Sequence, residues 1–283
     1  MKYKYYVVNA FTTSRFGGKP AGVVIIPSNS TMSEETMQNI ASEVNLPMTS
    51  FVQAIATDAF TLRWFNPTAE ATFCVHATLA AAHVLIDSEE ITFQFSEDDE
   101  LIAKRTAKGI TLEVASDPPC YVEPSDQQQS IADELLGQLP NPPSTSFFYE
   151  PFANDLFVVA DSIDDDEFAR LKFPSAPERM AGLVWQIEDE RLRRVVFVAR
   201  SQQAHRDCVS RVFIVRDKLI VEDQVTGSAH MAIAPLFHES FDQSVIRAHQ
   251  CSQRQGQLHL ELVDDQVYIS GNAVLVIQGT ISV

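Results

Sequence analysis

The chain has 283 residues, 45% hydrophobic and 21% charged, a composition that supports a buried core and a length suited to two domains. Its formal net charge of −17 argues against nucleic acid and anionic membrane surfaces as general partners, while leaving room for a small anion held by local donors. The opening "MKYKYYVVNAF" is too polar for a signal peptide, no apolar run is long enough for a membrane span, and the four cysteines, Cys74, Cys120, Cys208 and Cys251, form no CxxC pair, so a cytoplasmic protein with reduced thiols is expected.

In chain order, "YKYYVVNAF" and "AGVVII" predict strands from their β-branched and aromatic residues. "SEETMQNIASEV" follows with helical periodicity, Ser33 serving as N-cap and Thr36 lying in the first turn. "FTLRWF" is strand-like, "HATLAAAHVL" is a helix apolar on every side, and "ITFQF" and "ITLEV" are strands. Between Asp117 and Ser146 the composition turns to Pro, Gln, Ser and Asp, which marks a junction with a short helix, "SIADELLGQL", inside it. The strand "LFVVAD", the helix "DDDEFARL", the strand "LRRVVFVAR", the helix "SAHMAIAPLF" and the strands "LHLELV", "VYISG" and "AVLVIQGTISV" complete the chain. Strands clustered around a few helices, without regular βαβ alternation, predict an α+β fold. The acidic runs "SEDDE" and "DSIDDDE" read as solvated loops or a helix start.

The chain repeats itself. "RWFNPTAEATFCVHATLA" runs from Arg63 and Phe65 through Glu70 to Ala77, and "RVFIVRDKLIVEDQVTGSAHMA" runs from Arg211 and Phe213 through Glu222 to Ala229. Each copy reads as a strand, an acidic loop and the start of an apolar helix, so Cys74-Val75-His76 falls opposite Thr226-Gly227-Ser228. Two such halves are expected to point both helix starts into one interdomain cleft. A thiol and an imidazole on a first helical turn admit two readings: a small buried hydrophobe with a capping histidine, or a thiol activated beside a site for an anion.

"VNAFTTSRFGGKPAGVVI", "RWFNPTAEATFCVHATLAAAHVL", "VEDQVTGSAH", "HQCSQRQGQLHLEL" and the closing "VYISGNAVLVIQGTISV" together resemble, in order and from end to end, the phenazine-biosynthesis PhzF-like family. The resemblance implies the diaminopimelate-epimerase-like fold, with two pseudo-symmetric halves, each a curved, mostly antiparallel sheet or barrel around a central helix. The halves would be residues 1–118, closed by returning strands 268–283, and residues 119–267. It implies a homodimer and cofactor-independent isomerase or epimerase chemistry that moves a proton on a small carboxylated metabolite, with no metal.

Departures from the family pattern bear on the chemistry. The family's base is the glutamate of an Asn-Leu-Ser-Glu stretch, and here "NLPMTSF" puts Met48 in its place. Glu43 answers to a different family position and is not taken as the catalyst. Val75 replaces a glycine beside His76, Lys19 replaces the asparagine before Pro20, and Gln224 replaces a proline. The expected catalytic groups are Asp223, His76 and Cys74, and the expected substrate-binding groups are Met48, Val75, Ala77, Thr226, Gly227 and Ser228. Each has a plainer reading: Cys74 as a buried thiol, His76 as a cap, Asp223 as a turn brace. Glu222, Arg63 and Arg211 are expected in ion pairs. His76 and His83, or His230 and His238, lack the spacing of a helical zinc pair, and there is no GxGxxG, GxxxxGK[ST] or GxSxG motif. Two functions remain, an isomerase and a catalytically impaired binding protein that has lost its base at Met48.

Overall fold

The structure is a computed structural model, and it describes residues 1–172, 192–216 and 219–283. The chain folds as two units: Met1–Val114 with Gly256–His259 and Gln266–Val283, and Ala115–Gln255 with Leu260–Asp265.

In the first unit β1 (Lys2–Ala10) and β2 (Lys19–Ile26) pair antiparallel. Helix α1 (Glu34–Val44) leads to β3 (Thr49–Ala56), which lies parallel to β2, and β4 (Ala59–Phe65) returns antiparallel along β3. The two-residue β5 (Glu70–Ala71) folds back on β4, α2 (Val75–Leu85) follows, and β6 (Glu90–Gln94) lies parallel to β4. Strands β7 (Glu100–Thr106) and β8 (Gly109–Ala115) extend the sheet antiparallel.

The second unit opens with β9 (Cys120–Tyr121), α3 (Asp126–Leu136) and β10 (Thr145–Glu150), the last antiparallel to β9. Then the ladder of the first unit recurs. Strand β11 (Asp155–Ile163) is antiparallel to β10, α4 (Asp165–Arg170) intervenes, and β12 (Arg194–Ser201) is parallel to β11. Strand β13 (Cys208–Arg216) is antiparallel to β12 and β14 (Leu219–Glu222) folds back on it; after α5 (Gly227–Phe241), β15 (Val245–Gln250) lies parallel to β13. The chain ends with β16 (Gly256–Val263), β17 (Gln266–Gly271), which pairs with β8, and β18 (Ala273–Ser282), which pairs antiparallel with β1. The same order of antiparallel, parallel, antiparallel and parallel steps in both units is the pseudo-symmetry expected from the repeat.

Local chemistry explains the pieces. Helix α1 starts where Ser33 accepts a hydrogen bond from the Thr36 amide and stops at Asn45, in the left-handed region at φ 51°. Its buried face, Met37, Ile40 and Ala41, packs with Val24, Ile26, Phe51 and Phe65. Helix α2 is buried continuously from Val75 through Ala82 and touches β1, β2, β3 and β18, the environment its small aliphatic residues anticipate. At Gly18, φ is 64° and an added Cβ would stand 2.2 Å from the Ala10 carbonyl oxygen, so the turn between β1 and β2 admits only glycine.

Some expectations shift. Helix α3 begins at Asp126, upstream of "SIADELLGQL", because Ser125 and Gln128 form a reciprocal capping box. The second copy's acidic loop is partly strand: Glu222 ends β14, opposite Phe213. Asp217 and Lys218 in that copy lie outside the described residues. Strands β3, β7, β10 and β15 were not singled out in sequence. No helix among the described residues is long and apolar enough to cross a membrane.

Candidate functional site

The start of α2 gathers four of the expected residues. Cys74 is the N-cap, with no side-chain capping bond, and Val75, His76 and Ala77 form the first turn, all buried. The Cys74 Sγ lies 3.1 Å from His76 Nδ1, a contact that shares one hydrogen between thiol and ring. His76 is therefore engaged with the thiol. The turn is fixed from behind: Thr78 donates its hydroxyl to the Cys74 carbonyl at 2.8 Å and accepts from Trp64 Nε1 at 3.1 Å, while Ser50 donates to the Ala77 carbonyl at 3.0 Å. Met48 precedes β3 and is half-buried, and its carbonyl accepts the Gly22 amide at 3.0 Å.

The start of α5 is built to the same plan from different groups. Thr226 is the N-cap, again without a side-chain capping bond, and Gly227 and Ser228 follow. Its hydroxyl turns back to Asp223 Oδ2 at 2.5 Å, and Asp223 Oδ1 accepts the Gln224 amide at 2.9 Å. Asp223 thus braces its turn, and the residue is only 7% exposed. Gln250 clamps the same turn from β15, accepting the Thr226 amide and donating to the Asp223 carbonyl, each at 2.8 Å. His230 lies within hydrogen-bond distance of the Thr226 carbonyl through Nδ1 (2.8 Å) and of the Ser210 hydroxyl through Nε2 (3.2 Å). A carbonyl can only accept, so Nδ1 carries the proton and Nε2 accepts. Complete burial pushes His230 down to about 4, which keeps the ring neutral near pH 7.

The repeat extends to the ion pairs. Arg63 meets Glu70 at 2.6 and 2.7 Å and lies 5.2 Å from the Phe65 ring centroid; Arg211 meets Glu222 at 2.7 and 3.0 Å and lies 5.3 Å from that of Phe213. Register also gives Met48 a counterpart. Thr49 pairs with Phe65 and Val195 with Phe213, so the residues one step earlier, Met48 and Arg194, are equivalent. The Arg194 guanidinium donates to Ser228 Oγ at 2.7 Å, reaching the first turn of α5. By that equivalence, position 48 holds in the first unit the place on the ladder that Arg194 holds in the second. Arg194, Asp155, Gln250 and His230 carried no assignment in the sequence reading; only strand register and the clamp geometry bring them out.

The remaining groups offer less. Among the described residues no cluster of His, Cys, Asp and Glu is arranged to hold a metal ion. All four cysteines are free, and burial pushes the Cys251 thiol up to about 12 and Cys208 well above its usual range, which leaves both inert. An open pocket of about 460 Å³ beside α3, lined by Gln129, Asp133, Pro142 and Ser144 among others, has one charged side chain and lacks any of the expected site residues.

The chain matches the phenazine biosynthesis-like protein family, PhzC-PhzF, over residues 8–279. It is 34% identical to a Pseudomonas aeruginosa protein named as an uncharacterized isomerase, with 99% of each chain covered. A crystal structure of a PhzF-family protein from Enterococcus faecalis superposes with a TM-score of 0.82 at 28% identity, covering 100% of both chains. At the level of fold alone, a probable proline racemase from Agrobacterium radiobacter is similar, with a TM-score of 0.56 at 8% identity, covering 99% of this chain and 93% of that one. The chain belongs to the phenazine biosynthesis-like family, whose relatives include proteins named isomerases and whose fold is shared with racemases.

Proposed function

We propose that this protein is a cofactor-independent isomerase that moves a proton on a small carboxylate-bearing metabolite, bound in a cleft served by the starts of both α2 and α5. The observation that carries the reading is the paired construction of those starts. Each helix begins without a side-chain cap, so its first-turn N–H groups can receive an anion, and each has an ionisable group beside it. Val75 and Ala77 with Met48 on one side, and Thr226, Gly227 and Ser228 on the other, would line the substrate. Asp223 would take the proton from the carbon beside the activating group, leaving an enolate-like carbanion stabilised by the helix N–H groups. His76, in contact with the Cys74 thiol, would return a proton at the second carbon.

One observation favours a second reading, a binding protein without turnover: Met48 is a thioether where the family resemblance calls for a glutamate base. Proton NMR in D2O with a panel of small unsaturated and 2-substituted carboxylates separates the two. The isomerase incorporates deuterium into at least one carboxylate that it binds. Binding without incorporation, together with incorporation gained in Met48→Glu, establishes the binding protein instead.

A further inference from the structure

We infer that Arg194 is a positioning residue that fixes Ser228 as a one-way hydrogen-bond donor toward a ligand carboxylate, which deepens the proposed function and rests on it. Arg194, Asp155 and Ser228 all lie in the second unit. Arg194 is 3% exposed and Asp155 1% exposed, and the two form an ion pair, with Nε donating to Oδ1 at 2.7 Å and Nη2 lying 2.5 Å from Oδ2. The side chain is held by its partner and by the ladder, since Asp155 and Arg194 are direct neighbours on β11 and β12. Its remaining nitrogen, Nη1, donates to Ser228 Oγ at 2.7 Å.

A guanidinium has five donors and no acceptor, whereas a hydroxyl is both donor and acceptor. Because Arg194 can only donate, Ser228 Oγ must accept, and its own hydrogen has to point elsewhere. A free hydroxyl beside an anion can turn a lone pair toward it and lose the contact. One whose oxygen already accepts from a fixed guanidinium is biased to present hydrogen, and a carboxylate only accepts. The charged donor also polarises the O–H bond, strengthening it as a donor. Ser228 is half-buried rather than sealed, so its hydroxyl can meet a ligand. The first unit has no such device: Ala21 and Met48 stand where Asp155 and Arg194 stand, and neither side chain can hold the first turn of α2 by a hydrogen bond.

The test is a double-mutant cycle on the full chain, with oxalate as the probe because it has two carboxylates and no carbon-bound hydrogen. Oxalate is titrated into 15N-labelled protein and the amide shifts at 74–77 and 226–229 are followed. In the wild-type background Ser228→Ala is expected to weaken oxalate roughly tenfold, the scale of a hydrogen bond to a charged group. In the Asp155→Leu/Arg194→Leu background, where the pair is removed as a unit to spare the fold, the same change is expected to cost less than about twofold. An undiminished tenfold loss in that background overturns the positioning role while leaving the anion site intact. If the double variant does not fold, Arg194→Lys serves in its place: it keeps a charge for Asp155, and one ammonium does not reproduce the fork that spans Asp155 and Ser228. Shifts confined to 74–77 also overturn the inference and spare the site at α2, whereas no response at either helix start overturns the proposed function along with it.

Discussion

The starts of α2 and α5 occupy equivalent places in two copies of one ladder, yet they are held by opposite kinds of chemistry. In both, the fourth residue after the N-cap donates to the N-cap carbonyl and accepts from the strand behind. Thr78 does this with a hydroxyl and Trp64, His230 with an imidazole and Ser210. At the α2 start the contact is between a thiol and an imidazole, and the ladder positions equivalent to Asp155 and Arg194 carry the apolar Ala21 and Met48. Around α5 the groups are a buried ion pair, a carboxylate and a glutamine clamp. The scaffold therefore preserves backbone placement, the part that orients N–H groups, and leaves side-chain chemistry free to diverge between the halves.

The largest difference in cost between equivalent positions is expected at Arg194. Arg194→Met makes the second unit imitate the first, but it strands Asp155 in the interior, where desolvation already raises its pKa. Loss of about 3–5 kcal/mol is expected by urea denaturation, as for any buried pair deprived of one partner. Met48→Leu at the equivalent, half-buried position should cost under about 1.5 kcal/mol.

Acid should weigh most on the second unit, although burial also lowers His83 in the first. His230 and His249 are both pushed down to about 4, chiefly by burial, against an ordinary value of 6.5. The unfolded chain then binds more protons than the folded one between those values. This stability is complete above pH 6.5 and is lost as pH falls toward 4, by up to about 3 kcal/mol for each histidine. His230→Thr copies Thr78 into the second unit. It should flatten its share of that slope in pH-dependent denaturation, and an unchanged slope would show that His230 is not the neutral group described.

A smaller contrast lies in the arginine–glutamate pairs. The Arg211 side chain is 8% exposed and that of Arg63 35% exposed. Arg211→Ala should therefore cost about 2–3 kcal/mol and Arg63→Ala under about 1 kcal/mol, measured by the same denaturation. Equal costs would mean that burial does not distinguish them.

Much of this was legible in sequence because it depends on short-range pattern. Ser33 as a cap, the all-apolar α2 and the two Arg-x-Phe…Glu copies are local signals, and the family resemblance brought the fold with them. What was hidden depends on register. Nothing in "LRRVVFVAR" distinguishes Arg194 from Arg193; only pairing of Val195 with Phe213 shows which arginine reaches α5. Gln250 lay in the quoted "HQCSQRQG" segment, but its clamp on Thr226 and Asp223 needs β15 placed beside β13. Helix α3 begins ahead of its periodic stretch because the capping box of Ser125 and Gln128 sits in residues whose polar composition reads as loop.

In the proposed reaction two unlike helix starts serve one proton transfer, and the decisive measurement is the rate of solvent-deuterium incorporation into a single carboxylate. His76→Asn alters the α2 start and Asp223→Asn the α5 start; neither amide can exchange a proton as the parent group does. Both variants should keep the fold, and each should slow incorporation on the same substrate by about a hundredfold or more. If either variant exchanges at the wild-type rate, the two starts do not share the reaction and the account is contradicted.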